Sequence, residues 1–485
     1  MKKWLNRATG LLAASLGPPA HELNEIDWKS DLSPNKQRLT EHLCAMANYA
    51  GGEFLVLGVG NDGSLQGLNA QAIEQAVGQL ANLGRDAVEP AIAIDHSVTE
   101  IDGVPLVFVH VPESPIKPVH LRGKGIEAAY VRSGGSTRKA SRQEIGTLML
   151  HSRTPQWEDL SATVRLEDEE LLALLDVEPI LAMLKRPLPQ SREEMLDWMV
   201  REGFIERSPD AGGMITNLGA IATARMMADF PDLSRKVVRV IAYAGKSKTA
   251  PSREQEGKRG YAVGFRSLLR SVNGALPGYE SIINGLRTAV PTYPDLALRE
   301  IIANALIHQD FTVTGAGPRI EIFDDRSEIS NPGGLLPSKR LDRLIGTQPE
   351  SRNERLARAF RRYRICEEAG SGLLKAGQEV ELAGLPALAF EAGSNSFKVT
   401  LFGPRTYARM TPAERLRACY QHAVIRYYSN ETLTNKSLRE RLRMPEKQRS
   451  MVSVLIQSAL DERLVKPADP ENRSKKHAEY VPWWV

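Results

Sequence analysis

Two groups of polar residues have the types and spacing that metal-assisted chemistry requires. The first lies near the N-terminus, where Glu22, Glu25 and Asp27 are followed by Lys29. In an extended segment Glu25, Asp27 and Lys29 share one face, and Glu22 reaches them around a bend. Phosphodiester hydrolysis needs carboxylates that hold Mg²⁺ or Mn²⁺, with a lysine beside them to stabilise charge. A solvated strand edge is the alternative explanation of the same spacing.

The second group lies on a predicted helix that begins at Pro294 and carries Glu300, Asn304 and His308 at i, i+4 and i+8. A carboxylate there can polarise water, and an asparagine one turn later can hold the Mg²⁺ that bridges nucleotide phosphates. Glycine-containing turns follow, and the second precedes a helix whose N–H groups can cradle phosphates. The turn residues are Asn331, Gly333, Gly334, Gly370 and Gly372. Together they predict a nucleotide pocket, although each feature alone is common in proteins.

Basic residues concentrate in two places, although 63 Lys and Arg against 59 Asp and Glu give a formal net charge of only +4. Residues 117–142 contain seven basic residues and one acid, and residues 411–485 contain fourteen against nine. Such patches suit phosphate backbones, and ordinary solvated surface is the alternative. The candidate nucleic-acid contacts are Arg132, Arg138, Lys139, Lys447 and Arg449.

The elements around these residues predict an α+β multidomain protein, as expected for a chain of 485 residues. Helical spacing and alternating apolar runs indicate that residues 15–152 form one α+β domain. Residues 153–292 are interpreted as a helical, winged-helix-like connector with a strand at 237–243 and an exposed loop at 246–260. A third domain covers residues 293–405.

The tail, residues 411–485, shows the order helix, helix, helix and hairpin that is typical of a winged helix-turn-helix. Lys447 and Arg449 then lie at the N-terminal end of the recognition helix, where base contacts are usually made. A winged helix that binds protein instead of nucleic acid is the alternative.

Several classes of protein are excluded by composition. The 3 cysteines are too widely spaced for a zinc ribbon or a disulfide framework. No Walker A motif and no apolar run long enough for a membrane span are present. The basic-then-apolar order of residues 1–17 leaves a signal peptide as a minor alternative to the cytoplasmic location that we expect.

The N-terminal motifs resemble the Schlafen/AlbA-type domain over roughly residues 15–150. The matching segments are Glu22, Asp27-Trp28-Lys29, Ala47 to Gly52, Leu57 to Gly63, and Tyr130 to Ala140. Schlafen members with ribonuclease activity have three acidic residues in the active site. The resemblance implies that the corresponding positions in this chain are Glu22, Asp27 and Asn61. The third is an amide, with Asp62 one residue later. Asparagine ligates a divalent metal more weakly than a carboxylate does, which argues against catalysis. The other family role, binding nucleic acid without cutting it, does not need a carboxylate at this position.

The second constellation resembles the divergent GHKL-type ATP-binding domain that accompanies Schlafen/AlbA-type domains in bacterial proteins. The similarity includes Arg352-Asn353 and a last strand at 397–401. The resemblance implies an α/β sandwich with Glu300 as general base and Asn304 as Mg²⁺ ligand. It also implies that Asn331, Gly333 and Gly334 form the adenine-side turn and that Gly370 and Gly372 belong to the phosphate lid. Typical members have aspartate where Asn331 stands, and the asparagine carbonyl can also accept the adenine amine.

These observations favour an ATP-binding, nucleic-acid-binding protein, and specifically an ATP-responsive DNA-binding regulator of transcription. The alternative is a metal-dependent Schlafen-type endonuclease, acting on tRNA, other RNA or DNA in antiviral defence, with Lys29 and Asp62 assisting Glu22 and Asp27. A third hypothesis is a protein-interaction scaffold with degenerate sites. The expected cofactors are ATP and Mg²⁺, with Mn²⁺ as an option at the N-terminal acids, and by analogy we expect a homodimer.

Overall fold

The computed structural model divides the chain into two compact units, Met1–Gln156 and Trp157–Val485. Both contain helices and strands, so the predicted α+β multidomain class is confirmed. The residues that the structure describes are 2–16, 25–133, 136–152, 156–207, 212–283, 286–290, 292–367, 371–471 and 478–485.

The first unit is built on a four-stranded sheet. The strands, in sheet order, are Ile26–Lys29, Glu53–Leu57, Val104–Val111 and Asp95–Ile101. The first pair is parallel and the other two pairs are antiparallel. The helices are Lys3–Ser15, Lys36–Asn48, Ala70–Asp86 and Arg142–His151. Two small antiparallel pairs join Val88–Glu89 to His120–Leu121 and Tyr130–Ser133 to Ser136–Lys139, and we call the second pair the closing hairpin.

Alternation along the strands divides the sheet into two apolar faces. Ile26, Trp28, Phe54 and Val56 pack with Leu5, Ala8 and Leu12 of the Lys3–Ser15 helix. Leu55 and Leu57 face the opposite side and pack with residues of the next two helices, including Leu43, Met46 and Leu80. The Lys3–Ser15 helix is missing from the sequence prediction, because glycines at 10 and 17 interrupt its apolar run.

The second unit contains a six-stranded mixed sheet. Its strands, in sheet order, are Ser252–Glu256, Arg239–Tyr243, Arg319–Ile322, Arg326–Pro332, Ser396–Phe402 and Ala389–Ala392. Arg239–Tyr243 pairs with Arg319–Ile322 in parallel, and the other pairs are antiparallel. The helices up to the tail are Asp168–Leu174, Glu178–Met183, Arg192–Glu202, Asn217–Thr223, Tyr261–Ala275, Asp295–Ile307, Glu354–Arg362 and Gly372–Leu382. The small hairpins there are Ile205–Arg207 with Gly213–Ile215 and Tyr279–Ile283 with Leu286–Val290.

Two sequence predictions about residues 237–260 are wrong, because both segments contribute strands to this sheet. The strand Arg239–Tyr243, which we assigned to the connector, lies inside the six-stranded sheet. Part of the predicted loop forms the strand Ser252–Glu256, which is exposed at all of its residues. Its polar side chains suit a sheet edge, and they carry no apolar alternation that would reveal a strand. One apolar core extends from Leu171 to Leu401, so the proposed boundary at residue 293 falls inside a single core.

The tail contains the helices Pro412–Tyr428, Asn435–Arg441 and Arg449–Asp461, followed by an antiparallel pair of Val465–Pro467 and Tyr480–Pro482. It has its own apolar cluster, which includes Leu438, Val452 and Val465. The winged-helix assignment stays a prediction. Among the described residues, no helix is both long enough and apolar enough to span a membrane.

Candidate functional site

The helix Asp295–Ile307 places the predicted nucleotide-binding residues. Most of its residues are buried, including Leu298, Ile301 and Ile302, because it packs on the six-stranded sheet. Glu300 and Asn304, four residues apart, lie on one side of this helix and both line a cavity.

The cavity brings most of the predicted pocket residues together. Those that line it are Glu300, Asn304, Asn331, Gly334 and Gly372. An apolar part of the wall is formed by Ile329, Leu335, Leu336, Phe397 and Val399. Gly333 is not in the lining, and Gly370 lies outside the described residues.

Glu300 is only 1% exposed and is held by a neighbouring arginine. Its Oε1 accepts a hydrogen bond of 3.0 Å from Arg299 Nη2, which also donates to Glu367 Oε1 at 3.0 Å. Burial raises the pKa of the Glu300 carboxyl, and the hydrogen bond and charge of Arg299 oppose this shift. A buried carboxyl with a raised pKa is a suitable proton acceptor.

The start of the Gly372–Leu382 helix closes against Glu300. A Cβ atom at Gly372 would collide with Glu300 Oε2, so any other residue here would require this buried carboxylate to move. The phosphate contact of Gly372 stays a prediction, and the structure shows that this glycine leaves space for the Glu300 carboxylate.

Asn331 is the second-to-last residue of the strand Arg326–Pro332 at the pocket wall and is 4% exposed. Its Nδ2 donates to the Pro332 carbonyl at 3.0 Å. Gly333 has a φ of +95°, and a Cβ there would lie 2.7 Å from the Asp310 Cβ atom. Gly333 therefore permits a close approach of two chain segments beside the pocket and does not line the pocket itself.

Arg352 and Asn353 complete the C-terminal end of the Asp295–Ile307 helix. The carbonyls at a helix end have no partners within the helix and need donors from elsewhere. Asn353 Nδ2 donates to the carbonyls of Ile307 and Gln309 at 2.7 and 2.8 Å. Arg352 Nε donates to the His308 carbonyl at 3.3 Å, and its Nη2 donates to the Gly334 carbonyl at 2.9 Å. This pair thus fixes the glycine turn to the pocket helix.

Sequence reasoning missed the charged residues that complete the pocket wall, such as Lys339 and Glu367. Lys339 donates to Thr347 Oγ1 at 3.3 Å and to the Gln348 carbonyl. Neither residue belongs to a motif, because each reaches the pocket from a loop and no local pattern marks it.

The N-terminal acids are arranged differently from the prediction. Asp27 is 1% exposed, and Lys29 Nζ lies 2.5 Å from its Oδ1, as the shared strand face predicted. Glu25 is instead paired with Arg7 at 3.0 Å. Glu22 lies outside the described residues.

Asp62 is exposed and turns onto its own loop. Its Oδ1 accepts hydrogen bonds from the Ser64 N–H and hydroxyl at 3.0 and 2.6 Å, and these bonds lower the pKa of Asp62. Asn61, the residue at the third acidic position, is also exposed. Within the described ranges, no three His, Cys, Asp or Glu residues are grouped so that they could hold a metal ion.

Two predicted surface cations are buried. The Arg132 side chain is 1% exposed and faces Asp27 and Glu53, so the prediction that Arg132 contacts nucleic acid is wrong. Lys117, counted in the same patch, is 4% exposed and pairs with Glu113 at 2.6 Å. Both are buried ion-pair partners, and a count of charged residues along the sequence does not distinguish buried cations from exposed ones.

The other predicted contacts are accessible. Lys139, Lys447 and Arg449 are exposed. Arg138 is 47% exposed and pairs with Glu144 at 2.6 Å. In the tail, Asn435 Nδ2 donates to the Arg449 carbonyl at 3.1 Å and so joins two of its helices.

Comparison with known proteins agrees with the two resemblances. Residues 22–141 match the family described as "Schlafen, AlbA_2", and residues 315–401 match the family described as "Putative ATP-dependent DNA helicase recG C-terminal", HATPase_c_4. The chain therefore carries a Schlafen/AlbA_2 domain followed by a divergent ATPase-type domain, as the sequence motifs predicted.

No curated protein matches the chain. Among solved structures, the DIP2311 protein from Corynebacterium diphtheriae is similar over 99% of this chain and 96% of its own, with 15% identity and a TM-score of 0.42. The N-terminal domain of a "Putative ATP-dependent DNA Helicase RecG-related Protein" from Nitrosomonas europaea is similar over 28% of this chain and 92% of its own, with 24% identity and a TM-score of 0.21. At these scores neither similarity defines the fold of this chain.

Proposed function

We propose that this protein binds Mg²⁺-ATP in the pocket of its second unit and binds DNA in a manner that depends on the nucleotide, as a regulator. The observation that carries the proposal is the convergence of Glu300, Asn304, Asn331, Gly334 and Gly372 on one cavity. These residues come from separate helices, a strand end and turns, and convergence of this kind is what a binding site requires.

The residues of the cavity fit the nucleotide. The apolar wall suits the adenine ring, and the Asn331 carbonyl oxygen would accept its amine because the amide nitrogen already donates to Pro332. Asn304 would hold Mg²⁺ through its side-chain oxygen. Bound ATP would supply a phosphoanhydride, and the Glu300 carboxylate, which lines the same cavity, would orient or deprotonate a water.

Contacts between the pocket and the tail support dependence on the nucleotide. Leu344 and Thr347 line the pocket, and the neighbouring Gly346 and Asp342 contact the tail. Tyr420 of the first tail helix donates its hydroxyl to the Asp342 carbonyl, and a Cβ at Gly346 would collide with the Tyr428 ring. Ordering of the 342–347 loop by ATP would therefore act on the first tail helix, which shares an apolar cluster with the helix Arg449–Asp461.

The test measures ATP binding by calorimetry and DNA binding by fluorescence anisotropy, with and without Mg²⁺-ATP. Asn304→Ala should weaken ATP binding at least about tenfold, as loss of a metal ligand predicts, while the exposed Asn82→Ala should not. Lys447→Ala with Arg449→Ala should weaken DNA binding, while Arg358→Ala, 66% exposed on another helix, should not. Equal DNA affinity with and without ATP would contradict the regulator, and no ATP binding would contradict the pocket.

A further inference from the structure

One arginine lies between two buried carboxylates of the first unit and joins its sheet to the closing hairpin. Arg132, on the hairpin, has Nη1 at 3.4 Å from Asp27 Oδ2 and Nε at 3.1 Å from Glu53 Oε2. The three side chains are 1%, 2% and 0% exposed. Glu53 is the first residue of its strand, and it carries no motif that would have singled it out.

The same contacts decide whether Asp27 can serve as a metal ligand. Its Oδ1 is 2.5 Å from Lys29 Nζ, and its Oδ2 faces Arg132 and, at 3.7 Å, His42 Nδ1. Cationic donors therefore lie on both oxygens of Asp27, at positions that a divalent ion would have to take. Burial lowers the pKa of His42, and Glu53 is sealed from solvent. The described residues therefore do not fit the metal that the Schlafen resemblance implies.

We propose that Asp27 and Glu53 position Arg132, and through it the closing hairpin, and that Asp27 is not a metal ligand. The second strand of the hairpin carries the exposed residues Arg138 and Lys139. Asp27 and Glu53 then act on nucleic-acid binding indirectly, by fixing the strand that presents these cations. The inference goes beyond the nucleotide-dependent function and does not depend on it.

The energetic reason is the cost of an unpaired charge in a protein interior. A buried arginine is stable only when it is paired, and removing one partner of a buried ion pair is strongly destabilising. Neither Glu53 oxygen accepts a well-aligned hydrogen bond from the described residues, so a negative charge on Glu53 is balanced by the charge of Arg132. Because neutralising Asp27 removes a charged partner of Arg132, the hairpin should loosen in such a variant.

The first measurement is hydrogen exchange of the full-length protein, followed at the paired amides of the closing hairpin. Asp27→Asn keeps the side-chain shape and removes the charge, and it should speed exchange there about tenfold, as loss of a charged contact predicts. Asp62→Asn removes an equal charge from an exposed turn and should leave the hairpin unchanged. Unchanged exchange in Asp27→Asn would overturn the positioning role.

The second measurement is titration with Mn²⁺, without nucleotide, followed by electron paramagnetic resonance. Wild type and Asp27→Asn should bind the same amount of Mn²⁺. Binding that is present in the wild type and lost in Asp27→Asn would overturn the proposal and restore the metal-dependent endonuclease. If Asp27→Asn does not fold, Arg132→Lys replaces it in both measurements, because it keeps the charge but cannot span both carboxylates. It should speed hairpin exchange and leave Mn²⁺ binding unchanged.

Discussion

Gly372 is the residue on which the shape of the nucleotide pocket depends most directly. Any side chain there would meet Glu300 Oε2, whose carboxylate is held on its other oxygen by Arg299. The group that must move is the end of the Glu300 side chain, and because it is buried and hydrogen-bonded, moving it disturbs its packing and its bond to Arg299.

Gly372→Ala should therefore lower the free energy of unfolding by about 1–3 kcal/mol and weaken ATP binding. The control is Gly274→Ala, since that helical glycine has open space around its Cβ position and alanine favours helix. Thermal melts and calorimetry of both variants check this. A Gly372→Ala protein that binds ATP like the wild type would show that Glu300 can move freely.

Glu53 makes the stability of the first unit depend on pH. Burial is the main cause that raises the pKa of Glu53 to about 7, against the opposing charge of Arg132. The folded state then binds more protons than the unfolded state between the ordinary pKa and this value. The stabilising contribution of the protonated Glu53 carboxyl is therefore present at low pH and is lost as the pH rises through 7.

In the wild type, protection of the Glu53–Leu57 amides from exchange should fall between pH 5 and pH 8, after correction for the intrinsic rate. Glu53→Gln should show a shallower fall, because it has no proton to lose. Glu74→Gln, on an exposed helix position, should retain the wild-type slope. Parallel slopes in wild type and Glu53→Gln would mean that Glu53 does not titrate in this range.

At the scale of elements, the helix Gly372–Leu382 joins the pocket to the tail. Its first residues line the pocket, and Glu381 near its end lies 2.6 Å from His422 Nδ1 and 3.2 Å from Arg441 Nε. His422 Nε2 is in turn 3.0 Å from Ser437 Oγ in the second tail helix. A displacement at the pocket end can therefore reach the tail through one rigid element.

Glu381→Gln should leave ATP affinity unchanged but reduce the effect of ATP on DNA binding, because Arg441, 3% exposed, loses its charged partner. Anisotropy titrations with and without Mg²⁺-ATP measure the effect. Glu354→Gln, 63% exposed, is the matched control. An undiminished ATP effect in Glu381→Gln would exclude this helix as the route.

Elements with a strong local pattern could be predicted from the sequence. The helix Asp295–Ile307 was predicted because its apolar residues and its Glu300–Asn304 pair share one periodicity. The strand Ser252–Glu256 was missed because pairing with a neighbour, and not side-chain alternation, makes it a strand. Glu53 and Arg132 were missed as partners because 79 residues separate them along the chain, and only the folded sheet brings them together.

At the scale of the molecule, the second unit is not divisible at residue 293. Strands Arg239–Tyr243 and Ser252–Glu256 belong to the sheet that supports the pocket, and Val240 of the first strand is part of its apolar core. Domain boundaries lie where few contacts cross, and residue 293 does not meet that condition.

A fragment of residues 157–485 should fold and melt cooperatively, whereas a fragment of residues 293–485 should be poorly soluble, because a sheet edge and apolar core are uncovered. Circular dichroism melts and limited proteolysis of the two fragments distinguish these outcomes. A cooperative melt of the shorter fragment, with ATP binding intact, would show that the preceding strands are dispensable.

The parallel pairing of Arg239–Tyr243 with Arg319–Ile322 also sets an order of events during synthesis. Two helices, Tyr261–Ala275 and Asp295–Ile307, are made between these partners, and Ser396–Phe402, which completes the inner sheet, is made later still. Contacts between distant parts of a chain form slowly. On the ribosome, the apolar side of Asp295–Ile307 therefore stays uncovered until Arg319–Ile322 and Ser396–Phe402 have been translated. Nascent chains that end between these elements are the ones that chaperones should protect.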